Sequence, residues 1–198
     1  NLFGRRINMS DTYYVKTFGG LEITNDNVTV NIVELFGNQL VNLLQVLLFH
    51  SEKPVKKDEL IDILWPESKN PSSALKFSIF RLRAELNEIE FFKDKEVIVT
   101  TRKGYILNPN LDWNIDFVEL EKAYNQINDG SELLDEKEFK TARKIFRLYQ
   151  GRFYASPSQL HWILQKQEIF RQMYVKTMMR TSCYLYTQKR YDEMMLMN

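Results

Sequence analysis

The chain has 198 residues, with 27 Lys and Arg against 26 Asp and Glu, a formal net charge of +1. Its 44% hydrophobic and 27% charged residues give a globular composition rather than that of a disordered chain. A single cysteine excludes an intramolecular disulfide and a thiolate zinc site, and no apolar run approaches the roughly 18 residues of a membrane span.

Residues 1–12 are polar, carry two Arg and contain no apolar signal core. They are expected to be a tag or disordered leader, with Met9 as the native start. A soluble, cytoplasmic protein with no membrane partner is the expectation. Residues 13–33 are rich in Val, Ile, Thr and Tyr and alternate with period two. Gly19-Gly20 and Asn25-Asp26-Asn27 interrupt them, so short antiparallel strands are predicted. From Asn38 the period changes: Leu40, Leu43, Leu44, Leu47 and Leu48 define a buried helix face. A second short helix starts at Lys56 or Lys57, turns Leu60, Ile61 and Leu64 inward and closes at Trp65-Pro66. Asn70 as N-cap and Pro71 in the first turn open a third helix, which runs to about Asn87 with Leu75, Ile79, Leu82 and Leu86 on one stripe. Period two then returns. Val97, Val99 and Thr101, a turn at Arg102-Lys103-Gly104, and Tyr105-Ile106-Leu107 predict a hairpin with a basic tip.

Asn108-Pro109-Asn110 is the expected domain boundary, separating residues 13–108 from 111–198. Everything beyond it reads as helical. Phe117, Leu120, Tyr124 and Ile127 are spaced 3, 4, 3, and so are Phe139, Ala142, Phe146 and Tyr149. Asp129-Gly130-Ser131 separates these two helices. Gln150-Gly151 ends the second, and Pro157 lies in the next connection. From about Ser158 to Gln188 there is neither Gly nor Pro, and a long helix is predicted along Ile163, Phe170, Tyr174 and Leu185. A further helix begins at Arg190-Tyr191-Asp192 and reaches Asn198, which suggests a chain truncated inside an element. Trp113 and Phe117 are expected to bury against the first domain.

Whole-chain charge gives no case for nucleic-acid binding, because residues 1–110 hold 14 basic and 14 acidic side chains. Local charge does. No acid lies between Ser68 and Ala84, while Lys69, Lys76, Arg81 and Arg83 do, and Arg102-Lys103 adds a second basic spot. A solvated helix face is the simpler account of such a run. Three helices followed by a hairpin, with the third helix basic, is nevertheless the layout of a winged helix-turn-helix, whose third helix enters the major groove. Opposite the Leu75, Ile79, Leu82, Leu86 stripe the third helix offers Ser73, Lys76, Phe77, Phe80, Arg81 and Arg83. Arg can bond a guanine edge twice, while Lys and Ser hold phosphates. Phe is unusual on a merely solvated face, and packing of one Phe on the wing or on the second helix would explain it.

Leu60-Ile61-Asp62-Ile63-Leu64-Trp65, Ala74-Leu75, Ile79-Phe80-Arg81-Leu82-Arg83-Ala84-Glu85-Leu86 and Thr101-Arg102-Lys103-Gly104-Tyr105-Ile106-Leu107 together resemble an OmpR/PhoB-type winged helix. The N-terminal four-stranded sheet of that family also suits residues 13–33. The resemblance implies a recognition helix over residues 72–87 with Ser73, Lys76, Phe77, Arg81 and Arg83 facing DNA. It implies Trp65 supporting or touching the DNA backbone, and Arg102 and Lys103 forming the wing. Phe80 departs from it, since relatives often carry a polar or basic residue there. In the second half, Asp116-Phe117, Ala142 to Tyr149, Gln150-Gly151-Arg152-Phe153-Tyr154, Trp162 and Arg190-Tyr191-Asp192-Glu193 resemble a bacterial transcriptional activation domain. That domain is a set of tetratricopeptide-like helix pairs, and it follows the winged helix in SARP-type activators.

The fold class expected is therefore an α+β winged helix-turn-helix followed by an all-α, tetratricopeptide-like domain. The implied function is sequence-specific DNA binding by a transcriptional regulator, an activator, with double-stranded DNA as partner. The helical domain would contact RNA polymerase or a second copy of the protein. The competing reading is an interaction or dimerisation scaffold whose winged helix does not bind DNA. No catalytic arrangement, metal or cofactor is expected: His50 and His161 have no metal-ligand spacing, Cys183 reads as a buried thiol, and the glycines match no phosphate-binding loop.

Overall fold

The computed structural model describes residues 12–127, 133–154 and 160–195. Residues 1–11 of the expected leader, the break at Asp129-Gly130-Ser131, Pro157 and the helix end at Asn198 lie outside them. Thr12 already belongs to a strand. Two compact units form among the described residues: 12–15, 22–113 and 160 make the first, and 16–21, 114–127, 133–154 and 161–195 make the second.

In the first unit, alternating burial produces β1 (Thr12–Lys16), β2 (Glu22–Asn25) and β3 (Val28–Asn31). The β2–β3 pair is antiparallel, with Ile23 opposite Val30, across a turn in which Asp26 takes a positive φ of 52°. The expected four-stranded sheet exists, but its fourth strand is β6 (Asp112–Ile115), giving the order β3-β2-β1-β6. The reading of everything beyond Asn110 as helical is thus corrected. Four residues, Asp-Trp-Asn-Ile, are too few to establish a period, and pairing with β1 makes them a strand. Trp113 meets the expectation made for it: its ring lies 5.3 Å from that of Tyr13 and 5.9 Å from that of Phe92, and its Nε1–H donates to the Asn108 carbonyl at 3.0 Å.

After a single turn, α1 (Ile32–Leu35), come α2 (Asn38–Phe49), α3 (Lys57–Leu64) and α4 (Pro71–Asn87), as the apolar periods predict. Leu40, Leu43, Leu44, Leu47 and Leu48 of α2, Leu60 of α3, and Leu75, Ile79, Leu82 and Leu86 of α4 are all buried together. Fully burying such side chains is worth about 1.5–3 kcal/mol each, so this apolar seam fixes how α4 lies. A 3-10 turn at Glu90–Phe92 seats Phe91 and Phe92 in the core. The hairpin follows as β4 (Ile98–Thr101) and β5 (Gly104–Leu107), with Thr101 opposite Gly104.

The second unit consists of α5 (Asp116–Ile127), α6 (Glu136–Leu148), α7 (His161–Thr187) and α8 (Tyr191–Met195). Successive helices pack on one another, α5 on α6, α6 on α7 and α7 on α8. Asp135 caps α6 in a capping box, accepting from the Glu138 N–H while Glu138 accepts from its own. Phe117, expected to cover the first domain, has its ring partners in Phe153 and Phe170 of this unit, at 5.5 and 6.1 Å. Phe18 joins the same cluster, edge-on to Phe170 at 5.3 Å. The Lys16–Leu21 segment is held by backbone bonds, Tyr154 N–H to Thr17 O at 2.7 Å and Gly19 N–H to Arg152 O at 2.8 Å. A Cβ on Gly19 would stand 2.7 Å from the Gln150 carbonyl oxygen, so this approach requires glycine. Cys183, read as buried, is exposed on α7. Among the described residues no helix is long and apolar enough to cross a membrane.

Candidate DNA interface

Two elements of the first unit carry the expected site, α4 and the β4–β5 hairpin. Burying Leu75, Ile79, Leu82 and Leu86 turns the opposite face of α4 to solvent. Ser73, Lys76, Phe77, Phe80 and Arg81 all stand exposed there. These positions recur at spacings of three and four, so they form one stripe along the helix. Arg81 reaches back over the Phe77 ring, with its guanidinium carbon 6.0 Å from the centroid, and forms a loose 3.4 Å ion pair with Glu85. Both partners of that pair are open to water, so it contributes little and can be exchanged for a stronger anion.

Arg83 stands apart from this stripe. It is half-buried, and its guanidinium points at the hairpin: Nε and Nη2 donate to the Ile98 carbonyl at 3.1 and 2.8 Å, and Nη2 donates to Thr100 Oγ1 at 2.8 Å. Its charge is thus directed to the hairpin, where it ties the third helix to the first wing strand. Two residues turn a helix by about 200°, so Arg83 flanks the buried stripe while Arg81 lies on the far side; which acceptors meet Arg83 there is set by the packing of the hairpin.

The hairpin tip is rigidly built. Thr101 Oγ1 accepts from the N–H groups of Lys103 at 3.1 Å and Gly104 at 3.2 Å, and donates to the Gly104 carbonyl at 3.0 Å. Gly104 has φ of 146°, and a Cβ there would lie 1.8 Å from the Val55 carbonyl oxygen. The approach is close because Val55 adds a bridge to β5, exchanging backbone hydrogen bonds with Tyr105 at 2.8 and 3.0 Å. The outcome is a fixed two-residue tip presenting Arg102 and Lys103, both exposed. Among the described residues, the side chains of Lys76, Arg102 and Lys103 make no hydrogen bond or ion pair.

Trp65 caps α3, its N–H bonded to the Ile61 carbonyl at 2.7 Å. Its indole is buried, 8% exposed, and Nε1 has no partner among the described residues. It therefore belongs to the packed end of α3. Phe80, which the family pattern does not mark, is 69% exposed and Phe77 is 62% exposed. The expectation that one of these rings packs on the wing or on the second helix is not met in a way that covers it. A shallow cleft beside Phe77 and Arg81 is closed by Asn38 and Gln39 at the start of α2; no sequence pattern singled out those two polar residues.

Residues 33–107 match the family described as "Transcriptional regulatory protein, C terminal". Those residues are an OmpR/PhoB-type winged helix of that family. The regulatory domain so defined runs from α1 to the end of β5, and its family and fold are those of a transcriptional regulator rather than an enzyme. Among solved structures, EmbR of Mycobacterium tuberculosis, in complex with a low-affinity phosphopeptide, is similar at TM-score 0.66 and 16% identity. The match covers 92% of this chain and 47% of EmbR, so the chain spans about half the length of that protein. It extends the likeness in fold across the regulatory domain and the helical unit alike. The DNA-binding domain of E. coli CadC matches with TM-score 0.37 and 24% identity over 50% of this chain and 94% of that one. No curated protein matches in sequence.

Proposed function

We propose that the chain is a SARP-type, sequence-specific DNA-binding activator of transcription, acting in the cytoplasm. In this reading α4 lies in the major groove with Ser73, Lys76, Phe77 and Arg81 toward DNA. Arg102 and Lys103 on the wing hold flanking phosphates. Arg83 serves the wing's position, and Trp65 supports the end of α3 behind the interface. Residues 13–108 carry the DNA-binding work. Residues 111–198 supply a protein-contacting surface for RNA polymerase or a second copy of the chain.

The observation that carries this reading is the set of unpaired cations, Lys76 on α4 and Arg102 and Lys103 on a tip fixed by Thr101. Holding lysine and arginine on a rigid two-residue turn with no acid beside them is of no use to stability, and it suits a polyanion. The rival scaffold reading draws on the exposed Phe77 and Phe80.

A salt series on duplex DNA separates the two. The DNA-binding reading requires log K to fall linearly with log salt, at about 0.9 per phosphate contact. Arg102→Ala with Lys103→Ala should shallow that slope by about 1–2, while Arg81→Ala should cost about 1–3 kcal/mol on a selected site. No binding at low salt, or a slope that the wing variants leave unchanged, would refute it.

A further inference from the structure

Two phenylalanines stand in the open on a helix whose opposite face is a complete apolar seam. Phe77 and Phe80 are 62% and 69% exposed, more than almost any other large apolar side chain of the first unit. They are neither stray nor isolated. Both lie in the stripe with Ser73, Lys76 and Arg81, and the Arg81 guanidinium sits beside the Phe77 ring. Lys76 and Arg81 therefore flank the rings with positive charge, which suits a polyanion. The rings are also too small a patch for a stable protein partner. Two aromatic side chains bury about 150–250 Å² each, against the roughly 1,000 Å² that a specific interface needs.

In the major groove one apolar group is on offer, the C5-methyl of thymine, and apolar side chains, Phe among them, are suited to contact it. We infer that Phe77 and Phe80 select thymine, each by covering a thymine methyl in the major groove, so that this protein reads a T-containing step where a polar recognition helix would read a guanine. The inference rests on the DNA-binding reading above and names what that site distinguishes.

The spacing defines the target further. Three residues along a helix advance about 4.5 Å at 1.5 Å per residue, and stacked bases advance about 3.4 Å per step. The two methyls therefore lie one or two base pairs apart. Lys76 and Arg81 on either side are placed to reach the phosphates or a neighbouring purine edge. Phe80 also borders a shallow groove lined by Arg83, Asn87 and Val97.

The test uses the full chain and a duplex selected by it from random sequence, resynthesised with deoxyuridine in place of deoxythymidine. Uracil keeps every hydrogen-bonding group of thymine and lacks only the methyl. Binding is read by fluorescence anisotropy at fixed salt. The wild-type chain should lose about fourfold in affinity per contacted methyl, the worth of one CH₂-sized apolar group, at two positions one or two base pairs apart. Phe77→Ala with Phe80→Ala removes no core contact, so it should fold, bind the thymine duplex more weakly, and bind the thymine and uracil duplexes alike. Equal wild-type affinity for both duplexes overturns the inference and leaves DNA binding standing. So does discrimination that survives in the double variant, because the methyls would then act through duplex shape. If instead the double variant abolishes self-association in sedimentation while uracil has no effect, the rings belong to a protein interface and the inference fails. If no duplex is enriched at all, the DNA-binding reading falls first and takes the inference with it.

Discussion

Replacing Arg83 by Met keeps most of the aliphatic stem and removes the guanidinium. Two acceptors lose their donor: the Ile98 carbonyl, bonded at 2.8 and 3.1 Å, and Thr100 Oγ1, bonded at 2.8 Å. A hydrogen bond to a charged group is worth about 1.5–3 kcal/mol when well shielded. The Ile98 bond is half-buried, whereas the Thr100 bond is open to water and counts for little. The loss should come to about 1.5–2.5 kcal/mol. Urea unfolding followed at the hairpin amides by hydrogen exchange measures it directly. The functional effect should pass through the wing. In a chain already carrying Arg102→Ala and Lys103→Ala, adding Arg83→Met should weaken DNA binding no further, a coupling that a double-mutant cycle detects. If Arg83→Met leaves the hairpin amides as protected as before and erases preference at one base pair, Arg83 reads a base and the wing-anchor assignment is wrong.

Gly104→Ala should destabilise the first unit by at least about 2 kcal/mol, since alanine must meet both a Gly-only backbone region and the Val55 carbonyl; urea denaturation with an unchanged midpoint would refute this. Asp116 accepts from the N–H groups of Thr17 at 2.7 Å and Phe18 at 3.1 Å and from the Thr17 hydroxyl, yet burial dominates and lifts its pKa above the ordinary 3.8. Its contribution to stability is therefore fully present below pH 3.8 and is lost as pH rises through the raised folded value. Glu119 is the reverse: bonds from Lys144 and Lys122 hold it below 4.5, so its contribution is present above that pH and is lost as pH falls through the lowered value. Carboxyl carbon shifts in an NMR titration should place the two midpoints on opposite sides of their ordinary values. A chain ending at Asn110 lacks β6 and the Trp113 ring that packs on Tyr13 and Phe92; it should bind ANS and aggregate, whereas one ending at Ile115 should do so less. Equal behaviour of the two would show that β6 adds nothing to the sheet.

The winged-helix order was legible in the residues because each part is locally periodic. Leu40 to Leu48 and Leu75 to Leu86 repeat at three and four, so burial of one face fixes α2 and α4 whatever lies opposite. Arg102-Lys103-Gly104 between two strands signals a tip from its own chemistry. The outward stripe of α4 follows from the same arithmetic, and Lys76, Phe77 and Arg81 are exposed where that spacing puts them.

What the tertiary structure decided is every matter of partner. Helix rotation alone sets Arg83 about 200° from Arg81, but it is packing that brings Ile98 and Thr100 within reach of its guanidinium. Asp112–Ile115 becomes a strand only because β1 offers an edge, and Lys16–Leu21 joins the helical unit because Phe18 finds Phe153 and Phe170 and Gly19 admits a close backbone. Cys183, mid-helix among apolar and aromatic residues in the sequence, is exposed on α7. Local period reports which face of an element is apolar. It carries no information about which distant group arrives to cover that face, because that choice is made by packing between residues tens of positions apart.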